Sequence, residues 1–437
     1  MGRQVVCVDF GSTFTKAALV DVDEGALLAT ASTPTTIGTD VMDGYDVCRA
    51  RLDAPLAAPA VACSSAGGGL RLVVVGYERE ITAEAGFRVG LSAGARVVHV
   101  SAGPMSRADL GAVVASRPDV VLLVGGTDGG NSEILMHNAG VIAASRLKVP
   151  TVVAGNVDAR DEVLGVLEGR GKTAVATANV LPAIGRLDPL PARRAIREMF
   201  IRHVIGGKHL SRRPEFVAMV RAATPDAVLA GVELLADGAG AVPGAGDVLV
   251  VDVGGATTDV YSVVTPQGED AALRREVVEV MWRSRTVEGD LGVRWGATGV
   301  VEAALAERLV AADEAAALAP AAAARAADPA YLPATAAERD VDARLAELAL
   351  TVALRRHGRG GKNLREVTLV VGSGGVLRHA AGGRRRRILA PATHDHAGGW
   401  PVPDKARSVV DEHYVLAAAG LLAPEHPEAA ARLLCEL

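Results

Sequence analysis

Two short segments of the sequence place a carboxylate, a glycine turn and hydroxyl groups directly after a run of apolar residues. In the segment at 247–264, the apolar run ends at Asp252, and Gly254, Gly255 and two threonines follow. An unbroken apolar run is typical of a strand buried on both faces. A glycine turn after such a strand can offer backbone N–H groups to an anion, and the adjacent carboxylate can hold a magnesium-bound water. An ordinary hairpin contains the same residue types, so one copy alone leaves both interpretations open.

The same order of residue types opens the chain, where Asp9 stands 243 positions before Asp252. Here Lys16 adds an ammonium group beside the hydroxyls, which suits phosphate oxygens, although a solvated hairpin lysine is the alternative. A glycine-rich loop at 372–380 lies 247 positions after a similar loop at 125–130. Two matched pairs at nearly equal offsets indicate an ancient duplication, and therefore two α/β lobes of similar topology.

The elements between these loops predict how they are positioned. Strands alternate with helices from 120 to 178, which is typical of a doubly wound α/β region. The loop at 125–130 ends the first of these strands, where ligands tend to bind, but Asp128 and Asn131 could equally cap the next helix. The alanine-rich stretch at 301–328 predicts helix, broken near Pro320 and Pro329.

Glycine content suggests where the two lobes are joined. The stretch at 238–246 is the most glycine-rich linker in the middle of the chain. We therefore predict an N-terminal lobe at 1–237 with the first loop and an α/β extension, a hinge at 238–246, and a C-terminal lobe at 247–437.

Composition limits the classes of function. The 437 residues carry a formal net charge of −5, which gives no general attraction to nucleic acid or membrane. The four cysteines have neither disulfide nor metal-ligand spacing, and no signal peptide or long apolar span is evident, so we expect a soluble cytoplasmic protein. The basic run at 384–387 predicts a solvated loop because no aromatic residues interleave with it. The histidines at 394 and 396 lack further metal ligands nearby.

Seven segments together resemble the MutL/GlmL family, a resemblance that spans nearly the whole chain. They are DFGSTFTK (9–16), TTIGTDV (35–41), CSSAGGGLRLVVVG (63–76), LLVGGTDGGN (122–131), DVGGATTDV (252–260), TVEGDLGVR (286–294) and VGSGGVLRHA (371–380). The resemblance implies a duplicated two-lobe fold with ribonuclease H-like lobes, as in the actin, hexokinase and heat-shock-chaperone ATPases. It also implies a cleft between the lobes that binds ATP or ADP with Mg²⁺.

The family's binding positions can be carried over to this chain. The first phosphate loop would contain Gly11, Ser12, Thr13, Thr15 and Lys16, and the second Gly254, Gly255, Ala256, Thr257 and Thr258. A third loop of Gly372, Ser373, Gly374 and Gly375 would lie against adenosine and ribose. Gly289 and Asp290, within 288–292, would contact the nucleoside. Asp9 and Asp252 would hold Mg²⁺ through water and so take part in catalysis.

The resemblance also implies a function and a partner. The family is associated with adenosylcobalamin-dependent glutamate mutase, which implies a reactivase-like ATPase that helps the mutase release damaged cobalamin. No D-x-H-x-x-G cobalamin motif occurs in the chain, so it should act on mutase subunits rather than carry the radical chemistry itself.

Three alternatives use the same fold. A small-molecule kinase would need a carboxylate base, for which Asp40 or Asp43 are candidates in a polar segment that could line a cleft or form an exposed loop. A hydantoinase- or acetone-carboxylase-type enzyme would couple ATP to substrate activation. An actin-like scaffold would polymerise through a heterologous surface.

Overall fold

The strands form three five-stranded sheets and one short two-stranded ladder. The computed structural model describes residues 2–66, 70–78, 82–92, 95–205, 210–265, 283–359 and 363–437. Its strands are β1 (Gln4–Phe10), β2 (Phe14–Asp21), β3 (Ala26–Pro34), β4 (Ala60–Ser64), β5 (Arg71–Gly76), β6 (Arg96–Ala102), β7 (Val120–Leu123), β8 (Thr151–Val153), β9 (Ala174–Ala176), β10 (Val220–Ala223), β11 (Gly238–Ala239), β12 (Val242–Pro243), β13 (Val248–Val253), β14 (Thr258–Val263), β15 (Arg283–Glu288), β16 (Leu369–Ser373) and β17 (Arg407–Val410).

The helices follow the strands along the chain. They are α1 (Val41–Arg51), α2 (Glu84–Ser92), α3 (Arg107–Ala115), α4 (Glu133–Ala144), α5 (Arg160–Glu168), α6 (Pro189–Met199), α7 (Pro214–Met219), α8 (Thr224–Asp237), α9 (Ala297–Ala306), α10 (Ala312–Ala327), α11 (Ala336–Gly358), α12 (Gly375–His379), α13 (Gly382–Leu389), α14 (Pro391–His394), α15 (Val415–Leu422) and α16 (Pro427–Leu434).

Two of the sheets have the same topology. The first has the order β3-β2-β1-β4-β10, and the second has the order β15-β14-β13-β16-β17. In each, the first three strands form an antiparallel meander, and the last two are parallel to the central strand. Each central strand is buried along most of its length, as its apolar run predicts. The duplicated α/β fold of two ribonuclease H-like lobes, of the actin-like ATPase type, is therefore confirmed.

Two helices join the lobes. Helix α8 contacts β13 and β14, and helix α15 contacts β1 and β4, while α8 and α15 contact each other. Their side chains share one apolar core with the facing sides of both sheets. A methyl group on Gly420 would overlap the carbonyl oxygen of Ala227, and one on Gly231 would overlap that of Leu416. Glycine at both positions therefore lets the two backbones touch where the helices cross.

The chain divides into two compact units, and both lobes belong to the first. The described residues of the second unit lie within 70–217 and contain the third sheet. That sheet is parallel throughout and has the order β6-β5-β7-β8-β9. This is a common order of doubly wound α/β domains, in agreement with the alternation of strands and helices in the sequence.

Two local predictions are wrong. Helix α10 runs through Pro320 without interruption, and the break in this region lies earlier, at Arg308, whose φ of 58° ends α9. The basic run at 384–387 is part of helix α13 instead of a loop. Its arginines form ion pairs with Asp340, Glu412 and Glu347, which explains how so many positive charges are tolerated in one helix.

The segment predicted as a hinge, 238–246, contains the ladder of β11 and β12. A hinge role for it stays a prediction.

Candidate functional site

The two predicted phosphate loops have the same backbone hydrogen bonds. In the first, the N–H of Gly11 donates to the carbonyl of Phe14 at 3.1 Å. In the second, the N–H of Gly254 donates to the carbonyl of Thr257 at 2.9 Å. A Cβ atom at either glycine would lie within 3.0 Å of the carbonyl oxygen it binds, so each turn requires glycine. The equivalence seen in the sequence therefore extends to the turn geometry.

The carbonyl groups of the first loop are held by Thr35. Its N–H donates to the carbonyl of Thr13 at 2.9 Å, and its hydroxyl donates to the carbonyl of Gly11 at 2.8 Å. Thr35 lies in the 35–41 segment of the family resemblance, but the sequence assigns it no role, because the contact spans more than twenty residues.

The carbonyl groups of the second loop are held in the same way by the segment before α9. The N–H groups of Val293 and Arg294 donate to the carbonyls of Gly254 and Gly255 at 3.0 and 2.8 Å. The Arg294 side chain is in turn fixed by Asp342 on α11 at 2.8 Å. The second loop is thus tied to the helices that follow it.

These contacts involve the carbonyl groups of both turns and leave four of their N–H groups without a hydrogen bond inside the described ranges of the chain. Among the described residues, the backbone N–H groups of Ser12, Thr13, Gly255 and Ala256 have no hydrogen-bond acceptor. The two turns face each other, since a Cβ on Gly255 would lie 2.9 Å from Cγ2 of Thr13. Successive N–H groups turned to one side form a concave site for an anion.

Two carboxylates end the central strands beside these turns. The Asp9 carboxylate accepts a hydrogen bond from the Thr224 hydroxyl at 2.5 Å, and Asp9 Oδ2 lies 3.8 Å from Lys16 Nζ. Thr224 begins α8 and is not among the binding residues that the sequence predicts. Burial raises the pKa of Asp252 from its ordinary value of 3.8 to about 6; Lys16 opposes this rise, and Asp259 and Asp9 add to it.

Lys16 lies among these charges. Burial alone would lower the pKa of its ammonium, but the interactions with Tyr414 and with the carboxylates of Asp9 and Asp252 outweigh burial and hold the pKa above its ordinary value. Lys16 is therefore a permanent cation in the cleft at neutral pH. The equivalent residue of the second lobe is Asp259, which is paired with the buried Arg285 at 3.2 Å.

The residues present fit a magnesium ion held through water. The carboxylates of Asp9 and Asp252 end the two central strands beside the turns, and each can accept hydrogen bonds from magnesium-bound water. Within the described chain, no three His, Cys, Asp or Glu side chains meet as a direct metal site. One or two carboxylates with retained waters are the usual protein contribution to bound Mg²⁺.

The raised pKa of Asp252 predicts how stability changes with pH. The folded protein keeps this proton up to about pH 6, whereas the unfolded chain releases it near its ordinary value of 3.8. The free energy of unfolding should therefore fall as pH rises between these values. Urea unfolding of wild type and Asp252→Asn at several pH values should show the steeper fall in wild type. Mg²⁺ at the ionised carboxylate should restore part of the lost stability at pH 6 and above. Parallel profiles of the two proteins would contradict the assignment.

Two of the predicted binding residues lie apart from this group. Thr15 and Thr258 occupy equivalent positions after the two turns, and both are fully buried. The Thr15 hydroxyl contacts that of Thr35 at 3.2 Å, and the Thr258 hydroxyl donates to the carbonyl of Leu291 at 2.5 Å. These hydroxyls support the loops from behind.

The third glycine loop lies next to the second carboxylate. Ser373 pairs with Asp252 in the register of β16 and β13, and Gly372 precedes it in the same strand. Gly374 has a φ of 108°, and a Cβ there would overlap the carbonyl oxygen of Val253. Glycine at 374 therefore lets the chain leave the strand in close contact with its neighbour.

The segment predicted to contact the nucleoside is held by an arginine. Arg356 on α11 pairs with Glu288 at 2.6 Å and with Asp290 at 3.0 Å. Gly289 lies between these two acids. Sequence reasoning missed Arg356, since nothing in the helix sequence distinguishes it from its neighbour Arg355.

The other candidate residues have structural partners. Asp40 is the N-cap of α1 and accepts from the Met42 N–H at 2.9 Å. In the second unit, Asn131 accepts from the Glu133 N–H at the start of α4, while Asp128 accepts from the Asn179 side chain. Asp395, between the two histidines, is bound by Arg355 at 2.7 Å. Asp40 therefore serves helix α1, which weakens the case for it as a kinase base.

None of the described helices combines the length and the apolar character that a membrane span would need. The four cysteines are free thiols, and three of them are buried.

Comparison with known proteins matches the whole chain to one family. The family model described as MutL protein matches residues 5–437. "Protein MutL" from Clostridium tetanomorphum is 36% identical over 451 aligned residues, which cover 98% of this chain and 97% of that protein.

Solved structures with low similarity also cover the chain. The activator of 2-hydroxyisocaproyl-CoA dehydratase from Clostridium difficile, with bound ADPNP, is 10% identical with a TM-score of 0.31, covering 99% of this chain and 95% of that one. Xylulose kinase from Bifidobacterium adolescentis is 12% identical with a TM-score of 0.34, covering 100% and 94%. Because this similarity is low, the assignment of the two lobes as ribonuclease H-like rests on their own strand order and register.

Proposed function

Because this chain belongs to the MutL protein family, we propose that it binds ATP or ADP with Mg²⁺ in the cleft between its two lobes and hydrolyses ATP to remodel a partner protein. One observation carries the proposal: two equivalent turns face each other with four N–H groups that have no acceptor among the described residues, and each turn has a carboxylate beside it. Phosphate groups carry the charge and the oxygen atoms that such N–H groups bind.

Each part of the cleft has a role in this proposal. The N–H groups of Ser12 and Thr13 bind phosphate oxygens from one lobe, and those of Gly255 and Ala256 bind them from the other. Lys16 neutralises phosphate charge, and Asp9 and Asp252 hold the waters of Mg²⁺. The magnesium ion, when bound, supplies positive charge to the transferring phosphoryl group. The loop that contains Gly374 and Gly375 would lie against the ribose.

The two-lobe arrangement explains how hydrolysis could do work on a partner. The terminal phosphate would contact both turns at once, so its loss removes the bond between the lobes. A nucleotide shifts such an equilibrium only by the difference in its affinity for the closed and open states. ATP and ADP differ in the group that touches both turns, which provides that difference.

We propose an adenosylcobalamin-dependent mutase as the partner, with glutamate mutase the first candidate because the family resemblance points to it. A radical enzyme that loses its adenosyl group retains an inactive cofactor, and opening of the enzyme would release it. The chain has no D-x-H-x-x-G motif of its own, which supports an action on a partner's cofactor.

A reactivation assay tests the proposal. A mutase inactivated with hydroxocobalamin should regain activity when it receives this protein, ATP, Mg²⁺ and fresh adenosylcobalamin. ADP alone should give no recovery, and a non-hydrolysable ATP analogue should support at most one round of exchange. The purified protein should bind ADP with Mg²⁺ at one site per chain in calorimetry.

Two outcomes would contradict different parts of the proposal. If the folded protein gives no binding heat at millimolar nucleotide, the proposed nucleotide site would be contradicted. Binding without any effect on cofactor exchange would remove the reactivase role and favour a kinase, whose turnover a small-molecule acceptor should stimulate.

A further inference from the structure

Tyr414 adopts a backbone conformation that is unfavourable for its side chain. Its φ of 57° lies in the left-handed region, where bulky residues are rare. It stands immediately before helix α15, whose first N–H groups are bound by Asp411. Strain of this kind persists only where surrounding contacts enforce it, and it is common at functional sites.

The strained backbone places the Tyr414 ring against a cation from each lobe. Lys16 Nζ lies 3.7 Å from the ring centroid, and Cζ of Arg378 on α12 lies 5.0 Å from it. The Tyr414 hydroxyl is 4.0 Å from the position that a Cβ on Gly375 would occupy. The ring therefore lies between the lysine of the first phosphate loop and the third glycine loop.

Lys16 is fully engaged in this arrangement. Its ammonium contacts the electron-rich face of the ring and lies 3.8 Å from Asp9. Only 24% of its side chain is exposed. A phosphate group would compete with the ring face and the carboxylate for the single positive charge of this ammonium.

We propose that Tyr414 is a positioning residue that retains the Lys16 ammonium at the floor of the cleft and gives it up to an entering nucleotide phosphate. This inference rests on the proposed nucleotide binding. The ring competes with phosphate for the same cation, so Tyr414 weakens nucleotide affinity. Release of the Lys16 ammonium to a phosphate is thereby linked to α15, because Tyr414, which loses the cation, stands immediately before this helix.

Two substitutions at 414 distinguish the contribution of the aromatic ring from that of the hydroxyl group. Tyr414→Asn removes the ring and introduces a residue that tolerates the left-handed conformation, so the fold should be kept. Tyr414→Phe keeps the ring. In calorimetry with ADP and Mg²⁺, Tyr414→Asn should bind roughly three- to tenfold more tightly than wild type. Tyr414→Phe loses only the hydrogen bond between the hydroxyl and Lys16, so its affinity should lie between the two.

A double-mutant cycle tests whether the effect acts through the lysine. In a Lys16→Met background, Tyr414→Asn should leave ADP affinity unchanged within about twofold. Weaker binding by Tyr414→Asn, or an increase that persists without Lys16, would overturn the proposal.

A measurement without nucleotide distinguishes this proposal from the nucleotide site itself. Acetylation of Lys16 by an amine-reactive ester, followed by mass spectrometry, should be faster in Tyr414→Asn than in wild type or Tyr414→Phe. The exposed Lys148 of the second unit serves as an internal control. If Lys16 is labelled faster in Tyr414→Asn but no variant binds nucleotide, the ring contact would be supported and the proposed function contradicted. Equal labelling rates in all three proteins would overturn the role of Tyr414.

Discussion

Replacement of Asp252 by Asn should reduce Mg²⁺-dependent ATP hydrolysis by about 10²–10³-fold, and Asp9→Asn should do the same. Each carboxylate ends a central strand beside a turn with free N–H groups, and each would hold water molecules of the bound ion. The amide keeps the shape of the side chain and removes its charge. Steady-state hydrolysis at saturating ATP measures the loss, and calorimetry with ADP shows whether the nucleotide still binds.

A surface acid provides the matched control for these variants. Asp340 pairs with Arg384 on the same unit, in an exposed ion pair of the kind that contributes little. Asp340→Asn should hydrolyse ATP at the wild-type rate. Wild-type rates in both Asp9→Asn and Asp252→Asn would show that the cleft is not the catalytic site. A loss in only one would mean that the other acid stabilises its own turn.

The second large effect is expected at the crossing of α8 and α15. A methyl group on Gly420 would overlap the carbonyl oxygen of Ala227, and no flexible side chain lies there to move away. Gly420→Ala should therefore lower the free energy of unfolding of the first unit by about 3 kcal/mol, at the upper end of what overpacking costs. Urea unfolding followed by circular dichroism measures this change.

Gly140 is the control for the substitution itself. It lies inside helix α4, and a Cβ there meets no atom within 4 Å. Gly140→Ala should be neutral or stabilise the protein by up to about 1 kcal/mol, because alanine favours the helix. Equal stability of Gly420→Ala and wild type would show that the two helices lie farther apart than in this structure.

The parts of the site that could be predicted are those that one continuous stretch of chain encodes. Each hairpin has its apolar run, acid, glycine and hydroxyls within one short segment. The order of residue types in that segment is therefore enough to predict the loop. The backbone groups that fix each turn come from elsewhere: Thr35 holds the first loop, and Val293 and Arg294 hold the second. All three residues lie in segments of the family resemblance, but their N–H groups and the Thr35 hydroxyl reach the loops only through the fold, so residue types alone do not assign these contacts.

Long-range charge contacts were equally beyond the reach of the sequence. Arg356 reaches Glu288 and Asp290 from the end of a helix, and Tyr414 reaches Lys16 from a loop at the other end of the chain. The error at Pro320 has a different, local cause. Proline usually interrupts a helix, but its neighbours in α10 are strong helix formers and the helix continues.

The split of the first unit into three stretches has a consequence for biosynthesis. Strands β4 and β10 are neighbours in the first sheet, yet all five strands of the second unit lie between them along the chain. As the nascent polypeptide leaves the ribosome, β5 to β9 become available before β10 is made. Early folding of that contiguous stretch would shorten the effective loop that β10 must close, which lowers the entropic cost of completing the first sheet. A mutation that slows folding of the second unit should therefore delay completion of the first sheet, even though it changes none of that sheet's residues.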